Sequence, residues 1–186
     1  MELFPLAGKM GTATTGKDEI NMKRIPWLFG IYCLLLVWII LFKLSFSLED
    51  LQSLMGQRSI NLIPFHYEDD MRFARFHWTE VWENVLVFIP FGIYLKLLDV
   101  PSRRAILIGF LSSLTLETGQ YLGALGAFDI TDLLTNTLGT AIGVLVYRLA
   151  VKVFRSEERA SKVLGALAFI GTGFLLALIA VLAAAN

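Results

Sequence analysis

The chain has 186 residues, of which 56% are hydrophobic and 17% are charged, and its formal net charge is zero. A soluble domain needs more surface charge than this, and the apolar residues are concentrated in long runs, so the composition excludes an ordinary soluble protein. It predicts an all-α, polytopic membrane helical bundle. The single cysteine, Cys33, excludes an intramolecular disulfide and a cysteine-based metal site.

The N-terminal residues 1–24 are polar and include four basic side chains, and they are predicted to form a flexible cytoplasmic tail. The remaining residues, 25–186, are predicted to form one transmembrane domain. Its first apolar run covers residues 25–44, and about 20 apolar residues suffice to cross a ~30 Å hydrocarbon core. A cleaved signal peptide is the competing interpretation, but this run is longer than the usual signal core of roughly 7–15 residues. An uncleaved helix is favoured.

A mixed polar segment, residues 46–80, separates the first helix from the others, and an apolar cluster at residues 61–65 interrupts it. Four further spanning helices are predicted at residues 81–98, 105–122, 132–151 and 163–185. Trp78 and Trp82 flank the second helix as interfacial aromatics do, and Pro90 is expected to kink it. The third helix has the weakest pattern because Glu117 and Gln120 interrupt its apolar run.

The basic residues set the predicted orientation, because cytoplasmic loops are enriched in lysine and arginine. With the N-terminus inside, twelve of the sixteen basic residues lie on or near the cytoplasmic side. The exceptions are Lys43, Arg58, Arg72 and Arg75. The consistent solution has five spanning helices, with the N-terminus inside and the C-terminus outside.

This topology brings the unusual polar residues of three helices to the outer leaflet. They lie in the first turn of the second helix, the last two turns of the third and the start of the fourth: Glu83, Asn84, Glu117, Gln120, Asp129, Asp132 and Asn136. A carboxylate within a spanning helix is costly and is usually functional, so Glu117 most needs an explanation.

Each of these residues also has a structural interpretation. Asp129 or Asp132 is expected to cap the fourth helix, since aspartate favours a helix N-terminus. Glu83 and Asn84 are equally consistent with contacts to lipid headgroups. Asn136 is consistent with an interhelical hydrogen-bond clamp, the commoner use of a membrane asparagine.

Small residues predict where the helices pack closely. Gly139 and Gly143 continue the stripe that begins with Asp132 and Asn136, and Pro90 with Gly92 marks a second packing position. Gly119 and Gly123 form another small pair, beside Glu117. These spacings predict a tight antiparallel hairpin of the third and fourth helices.

Other chemistries lack the residues they need. His66 and His77 have no metal-ligand spacing, and Ser112 and Ser113 have no histidine base within the helices. The glycines follow no phosphate-loop pattern, and the chain has no nucleic-acid motif. The sequence therefore predicts no metal site, no cofactor and no nucleic-acid partner.

Several motifs together resemble the VanZ-like family of bacterial membrane proteins, over about residues 58–150. They are Asn61-Leu62-Ile63-Pro64-Phe65, Glu83-Asn84, Phe88-Ile89-Pro90-Phe91-Gly92, Glu117 with Gln120, Phe128-Asp129-Ile130-Thr131-Asp132, Asn136-Thr137-Leu138-Gly139 and Gly143. Many family members carry an arginine shortly before the Phe-Asp element, where this chain has Gly126 and Ala127. The resemblance implies a multi-pass protein of the bacterial cell membrane and low-level resistance to glycopeptide antibiotics such as teicoplanin.

Two functional hypotheses follow. The first is a non-enzymatic, outward-facing polar site that reduces the access of teicoplanin-type antibiotics to their target at the cell surface. The second is an intramembrane enzyme or lipid-binding protein that acts on a cell-envelope lipid or a lipid-linked sugar. A transporter is a weaker third hypothesis, because acidic residues at one leaflet make only half a pathway.

The second hypothesis assigns specific roles. Glu117 would be the general acid or base, and Glu83, Asp129 or Asp132 the second carboxylate. Asn84, Gln120 and Asn136 would orient the ligand. The expected partners are membrane lipids, together with a cell-envelope lipid precursor or a glycopeptide antibiotic.

Overall fold

The computed structural model describes residues 16–42, 56–65 and 74–185, and within these segments the chain forms five helices and two short strands. In chain order the elements are α1 (Gly16–Phe42), β1 (Gln57–Asn61), α2 (Ala74–Leu97), α3 (Ser102–Leu122), β2 (Leu125–Asp129), α4 (Ile130–Phe154) and α5 (Glu157–Ala185). The predicted helical architecture therefore accounts for most of the described chain.

The two strands are a correction to the purely helical expectation. β1 and β2 pair in parallel, with Arg58 opposite Gly126 and Asn61 opposite Asp129. The backbone N–H of Gly56 extends the pairing by donating to the carbonyl of Ala124. The connection between α3 and α4 is thus an ordered strand and not the plain loop that its sequence suggests.

Several helices begin earlier than their apolar runs. α1 begins at Gly16, so the last nine residues of the predicted tail are helical, whereas residues 1–15 lie outside the described segments. α2 begins at Ala74 and α5 at Glu157, each more than one turn before the predicted start. Glu83 therefore lies in the third turn of α2, not in its first turn. Hydropathy detects the apolar part of a helix, and polar turns can continue the same helix beyond it.

Three of the described helices are long and apolar enough to cross a membrane: Arg24–Leu41 within α1, Ile130–Phe154, and Glu157–Val181 within α5. α2 and α3 carry more charge. α2 contains Glu80, Glu83 and Lys96, and α3 begins with two arginines and contains Glu117.

Glycines let α2 and α4 pack backbone against backbone. A Cβ atom on Gly143 would overlap the carbonyl oxygen of Ile89, and one on Gly139 would overlap that of Val85. Gly92 has the same relationship to the Thr140 carbonyl on α4. The glycine stripe of α4 therefore faces α2. α3 also approaches α4 closely at Gly109, where a Cβ atom would overlap the Thr140 side chain.

Aromatic residues attach α1 and α5 to α2. Tyr94 is fully buried, and its ring centroid lies 5.4 Å from that of Tyr32 on α1. Its hydroxyl group lies 2.7 Å from Thr172 Oγ1 and donates to the carbonyl of Ala168, both on α5. Tyr32 in turn donates to the carbonyl of Val87. α2 is therefore the central helix of the bundle.

Candidate functional site

The strand pair positions the start of α4. Asn61 and Asp129 end their strands at the same level, and Asn61 Nδ2 donates a 3.1 Å hydrogen bond to Asp129 Oδ2. The other carboxylate oxygen of Asp129 accepts the backbone N–H of Thr131 at 2.7 Å. Asp129 is therefore the N-cap of α4, with the extended backbone that is typical of this position.

Glu117 supports the same junction from α3. Its side chain has no exposed surface, and Oε2 accepts the backbone N–H of Asp129 at 3.0 Å. A carboxylate that accepts a backbone N–H forms a stronger hydrogen bond than a neutral acceptor does. Glu117 therefore joins the end of α3 to the junction of β2 and α4.

The segment after β1 is attached to α4 through Thr131. The buried hydroxyl of Thr131 accepts the backbone N–H of Phe65 at 3.1 Å. Asn61 Oδ1 accepts the N–H of Ile63 within the same segment. The residues after β1 are thus fixed against the first turn of α4.

Asp132 connects α4 to α2. Its Oδ1 accepts a 2.7 Å hydrogen bond from Asn84 Nδ2, and both side chains are partly buried. Because Asp129 caps the helix, Asp132 is available for this contact. The pair places one carboxylate and one amide, both partly exposed, beside the first turn of α4.

Asn136 forms a deeper contact with α3, one helical turn beyond Asp132. Its Nδ2 donates to Ser113 Oγ at 2.9 Å, and its carbonyl accepts the Thr140 hydroxyl. None of these three side chains has exposed surface. Within the described part of the chain, Asn136 Oδ1 has no hydrogen-bond partner. The contact matches the clamp interpretation of a membrane asparagine.

Two candidate residues lie apart from these contacts. Glu83 is exposed, whereas the neighbouring Asn84 faces α4. Gln120 is buried, but its Nε2 donates to the carbonyl of Ile40 on α1 at 2.8 Å. Gln120 therefore attaches α1 to α3.

The strand register places a basic side chain next to the position where many relatives are expected to carry an arginine. Arg58 lies opposite Gly126 in the register, and its Nη2 donates to the Leu122 carbonyl at 3.1 Å. It therefore supports the end of α3 from the neighbouring strand.

Three contributing residues are absent from the predicted site: Asn61, Ser113 and Thr131. Asn61 and Thr131 occur only in the motifs of the family resemblance, and Ser113 was considered only as a nucleophile without a base. Ser113 lies one turn before Glu117 on α3, and this spacing was the signal that could have identified it. The partners of Asn61 and Thr131 are 68 and 66 residues away in the chain, so no local pattern indicates them.

The arrangement offers hydrogen-bonding groups and two partly exposed carboxylates, of which Asp129 already accepts from Asn61 and the Thr131 backbone and Asp132 accepts from Asn84. Within the described segments, no three His, Cys, Asp or Glu side chains are grouped so as to hold a metal ion. His66 and the side chain of His77 lie outside the described residues. Glu117 is enclosed, whereas the side chains of Asp132 and Asn84 keep part of their surface exposed.

Comparisons with known proteins agree with the resemblance. The family model described as VanZ/LLP1 matches residues 29–155, a range that includes the whole of β1, α2, α3, β2 and α4. Protein VanZ of Enterococcus faecium is 37% identical over 139 residues, which cover 70% of this chain and 78% of that protein. No solved structure matches the chain. The chain belongs to the VanZ/LLP1 family.

Proposed function

We propose that this chain is a multi-pass protein of the bacterial cell membrane whose outward-facing polar site reduces the access of teicoplanin-type glycopeptides to their target. The observation that carries the proposal is the Asn84–Asp132 pair, a partly buried carboxylate and amide at one end of the bundle. Membership of the VanZ/LLP1 family also supports a function in glycopeptide resistance.

The proposed topology has five spanning helices with the N-terminus in the cytoplasm. Successive helices alternate in direction, so the turns after α2 and α4 lie at one end and β2 lies at the other. Basic residues are concentrated at the first end: Arg103, Arg104, Lys152, Arg155 and Arg159. The positive-inside rule assigns this end to the cytoplasm and the Asn84–Asp132 pair to the outer face.

The spanning of α2 and α3 is supported by their packing. α2 runs beside α4 from Val85 to Gly92 and reaches α5 at Tyr94, so it shares the depth of two strongly apolar helices. α3 contacts α4 at Gly109 and α1 at Gln120. Because neighbouring helices cover parts of α2 and α3, their polar residues need not face lipid.

The edge beside the polar pair is apolar. Ile60, Leu62, Ile63 and Phe65 are each more than half exposed, and the Phe65 backbone is bonded to Thr131 at the start of α4. An exposed apolar patch of this kind marks a membrane or ligand contact. A lipoglycopeptide has both a hydrogen-bonding peptide core and an acyl chain. The Asn84–Asp132 pair suits the peptide core, and the exposed apolar residues suit the acyl chain.

The enclosed position of Glu117 favours this non-enzymatic function over catalysis. A general acid or base must come within hydrogen-bonding distance of the reacting group, roughly 2.6–3.2 Å. Glu117 has no exposed surface and already binds the Asp129 backbone. Its contacts assign it a positioning role at the β2–α4 junction.

Teicoplanin susceptibility of a sensitive Gram-positive host tests the proposal. Cells expressing wild type are expected to tolerate more antibiotic, and Asp132→Asn is expected to remove this protection while the protein level is unchanged. Glu83→Gln is the matched control, because Glu83 is exposed and lies outside the contacts described above. Unchanged susceptibility with well-expressed wild type contradicts the proposal. A cell-envelope lipid that changes in abundance only with intact carboxylates favours the enzyme instead.

A further inference from the structure

A cavity lies at the opposite end of the bundle from the Asn84–Asp132 pair. The cavity has a volume of about 490 Å³, and its walls come from the third and fourth turns of α1, the end of α2 with the turn after it, Tyr147 on α4 and the first half of α5. This volume falls in the range of small-molecule sites, roughly 300–1,000 Å³. It shares no residue with the site described above.

Charged side chains of both signs form the polar wall. Lys162 and Glu158 already form an ion pair at 2.8 Å. Arg24, Asp99 and Glu157 also line the cavity, and they form no ion pair with any residue that the structure describes. The wall therefore offers one guanidinium group and two carboxylates to a ligand.

Apart from the hydroxyl groups of Tyr147 and Ser161, which are hydrogen-bonded to each other, the rest of the wall is apolar. Phe169 and Ile170 line the cavity and are 58% and 64% exposed. The lining of α5 extends from Glu157 to Ile170, which is about 20 Å at 1.5 Å per residue. The candidate spans of α1 and α5 begin at Arg24 and Glu157, so the charged wall lies where headgroups meet the hydrocarbon.

We propose that this cavity binds a phospholipid whose zwitterionic headgroup carries a primary ammonium group. The phosphate contacts Arg24, and the ammonium group lies between Asp99 and Glu157. One acyl chain lies along Phe169 and Ile170. With the topology proposed above, the lipid comes from the cytoplasmic leaflet.

The charges select this headgroup over the alternatives. An anionic headgroup such as phosphoglycerol satisfies Arg24 but brings no cation to the two carboxylates, and an unpaired charge in a partly desolvated site is unfavourable. A choline headgroup is zwitterionic but has no N–H donor. A primary ammonium group has three donors, as lysine does.

A matched pair of glycines on α5 tests the location. Gly165 lines the cavity, and a Cβ there makes only an ordinary 3.5 Å contact with Ile25 Cδ1, so Gly165→Leu fills the cavity without moving the backbone. Gly171→Leu is the control, because a Cβ at Gly171 meets nothing within 4 Å. Ala166→Leu places a similar side chain one position further along the same wall.

Native mass spectrometry of the purified full chain in detergent, titrated with phosphatidylethanolamine, phosphatidylcholine and phosphatidylglycerol, measures the binding. Wild type and Gly171→Leu are expected to bind phosphatidylethanolamine at least about tenfold more tightly than the other lipids, a difference of about 1.4 kcal/mol. Gly165→Leu and Ala166→Leu are expected to lose this binding. The double variant Asp99→Asn with Glu157→Gln is expected to lose the preference. Asparagine keeps the left-handed backbone of Asp99, whose φ is 58°.

Three outcomes overturn the proposal. The first is equal binding of the three lipids to wild type, and the second is tighter binding of phosphatidylglycerol. The third is a preference for phosphatidylethanolamine that persists in the double variant or in Gly165→Leu. Teicoplanin susceptibility does not enter this measurement, so its result is independent of the function proposed for the outer site.

Discussion

The amide of Asn61 donates a 3.1 Å hydrogen bond to the carboxylate of Asp129, the residue opposite it in the parallel strand pair. Asp129 also caps α4, so a residue that precedes α2 in the chain fixes the start of a helix 68 positions later. The orientation of Asp132, three residues further on, depends on this junction. Stability of the junction and function of the site are therefore linked.

Removal of the Asn61 side chain tests the strand junction. Asn61→Ala is expected to lower the free energy of unfolding by about 1–3 kcal/mol, because it removes the hydrogen bonds to Asp129 and to the Ile63 N–H and each contributes about 0.5–1.5 kcal/mol. Thermal unfolding of the purified protein in detergent measures the change. Ser59→Ala alters an exposed position of the same strand and serves as the control. Equal melting temperatures for the two variants would count against the junction.

Glu117 is expected to stabilise the fold through its acceptor oxygen. Glu117→Ala leaves the Asp129 N–H without its partner, at a cost of about 1–3 kcal/mol for a buried donor. Glu117→Gln keeps a carbonyl oxygen at this position and is expected to lose less. Unfolding midpoints of both variants, compared with Glu83→Ala, check the order. A Glu117→Ala protein as stable as the Glu83→Ala protein contradicts the positioning role.

The glycine contact of α2 and α4 predicts a strong dependence on side-chain size. Gly143→Ala places a Cβ on the Ile89 carbonyl, and the forced separation is expected to destabilise by about 1–3 kcal/mol or more. Gly171→Ala is expected to be neutral or to stabilise the helix by up to about 1 kcal/mol, since its Cβ meets nothing within 4 Å. Melting temperature and monodispersity in detergent distinguish them. Similar behaviour of both variants would refute the close approach.

The proposed topology predicts which engineered cysteines are accessible from outside. In a Cys33→Ala background, Ser59→Cys is expected to react with a membrane-impermeant maleimide on intact cells. Arg103→Cys is expected to react only after permeabilisation, because Arg103 lies in the first turn of α3 at the opposite end of the bundle. Labelling of both positions on intact cells contradicts the five-span arrangement.

Hydropathy predicts the bounds of a helix best where the apolar run extends over nearly the whole helix. The third helix was predicted at residues 105–122 and is observed at Ser102–Leu122, because a proline precedes it and a glycine follows it. The start of α2 at Ala74 lies outside the predicted range, because the sequence of its first turn, Ala-Arg-Phe-His, lacks the apolar run that hydropathy detects.

The strand pair was not predictable from local sequence. β1 has the sequence QRSIN, which lacks the alternation of a half-buried strand. Its partner β2 contains glycine and alanine and follows α3 by only two residues. The pairing depends on contacts between segments that are far apart in the chain, which a single sequence does not show.

The distribution of contacts within the candidate site explains which residues sequence reasoning could group. Asp132 and Asn136 are one turn apart on α4, and both contact a neighbouring helix. Adjacent residues such as Glu83 and Asn84 point about 100° apart on a helix, so one faces α4 while the other is exposed. Gln120 shares a side of α3 with Glu117, yet its longer reach to α1 depends on packing that spacing alone does not reveal.

Binding of a fluorescent teicoplanin to intact cells measures most directly whether the protein reduces access of the antibiotic to its target. Cells that express wild type or Glu83→Gln are expected to bind less antibiotic than cells without the protein, and to bind the same amount as each other. Asp132→Asn keeps the Asn84 hydrogen bond but removes the charge, and it is expected to restore full access. If Asp132→Asn cells exclude the antibiotic as well as wild-type cells do, the Asn84–Asp132 pair is not the functional site.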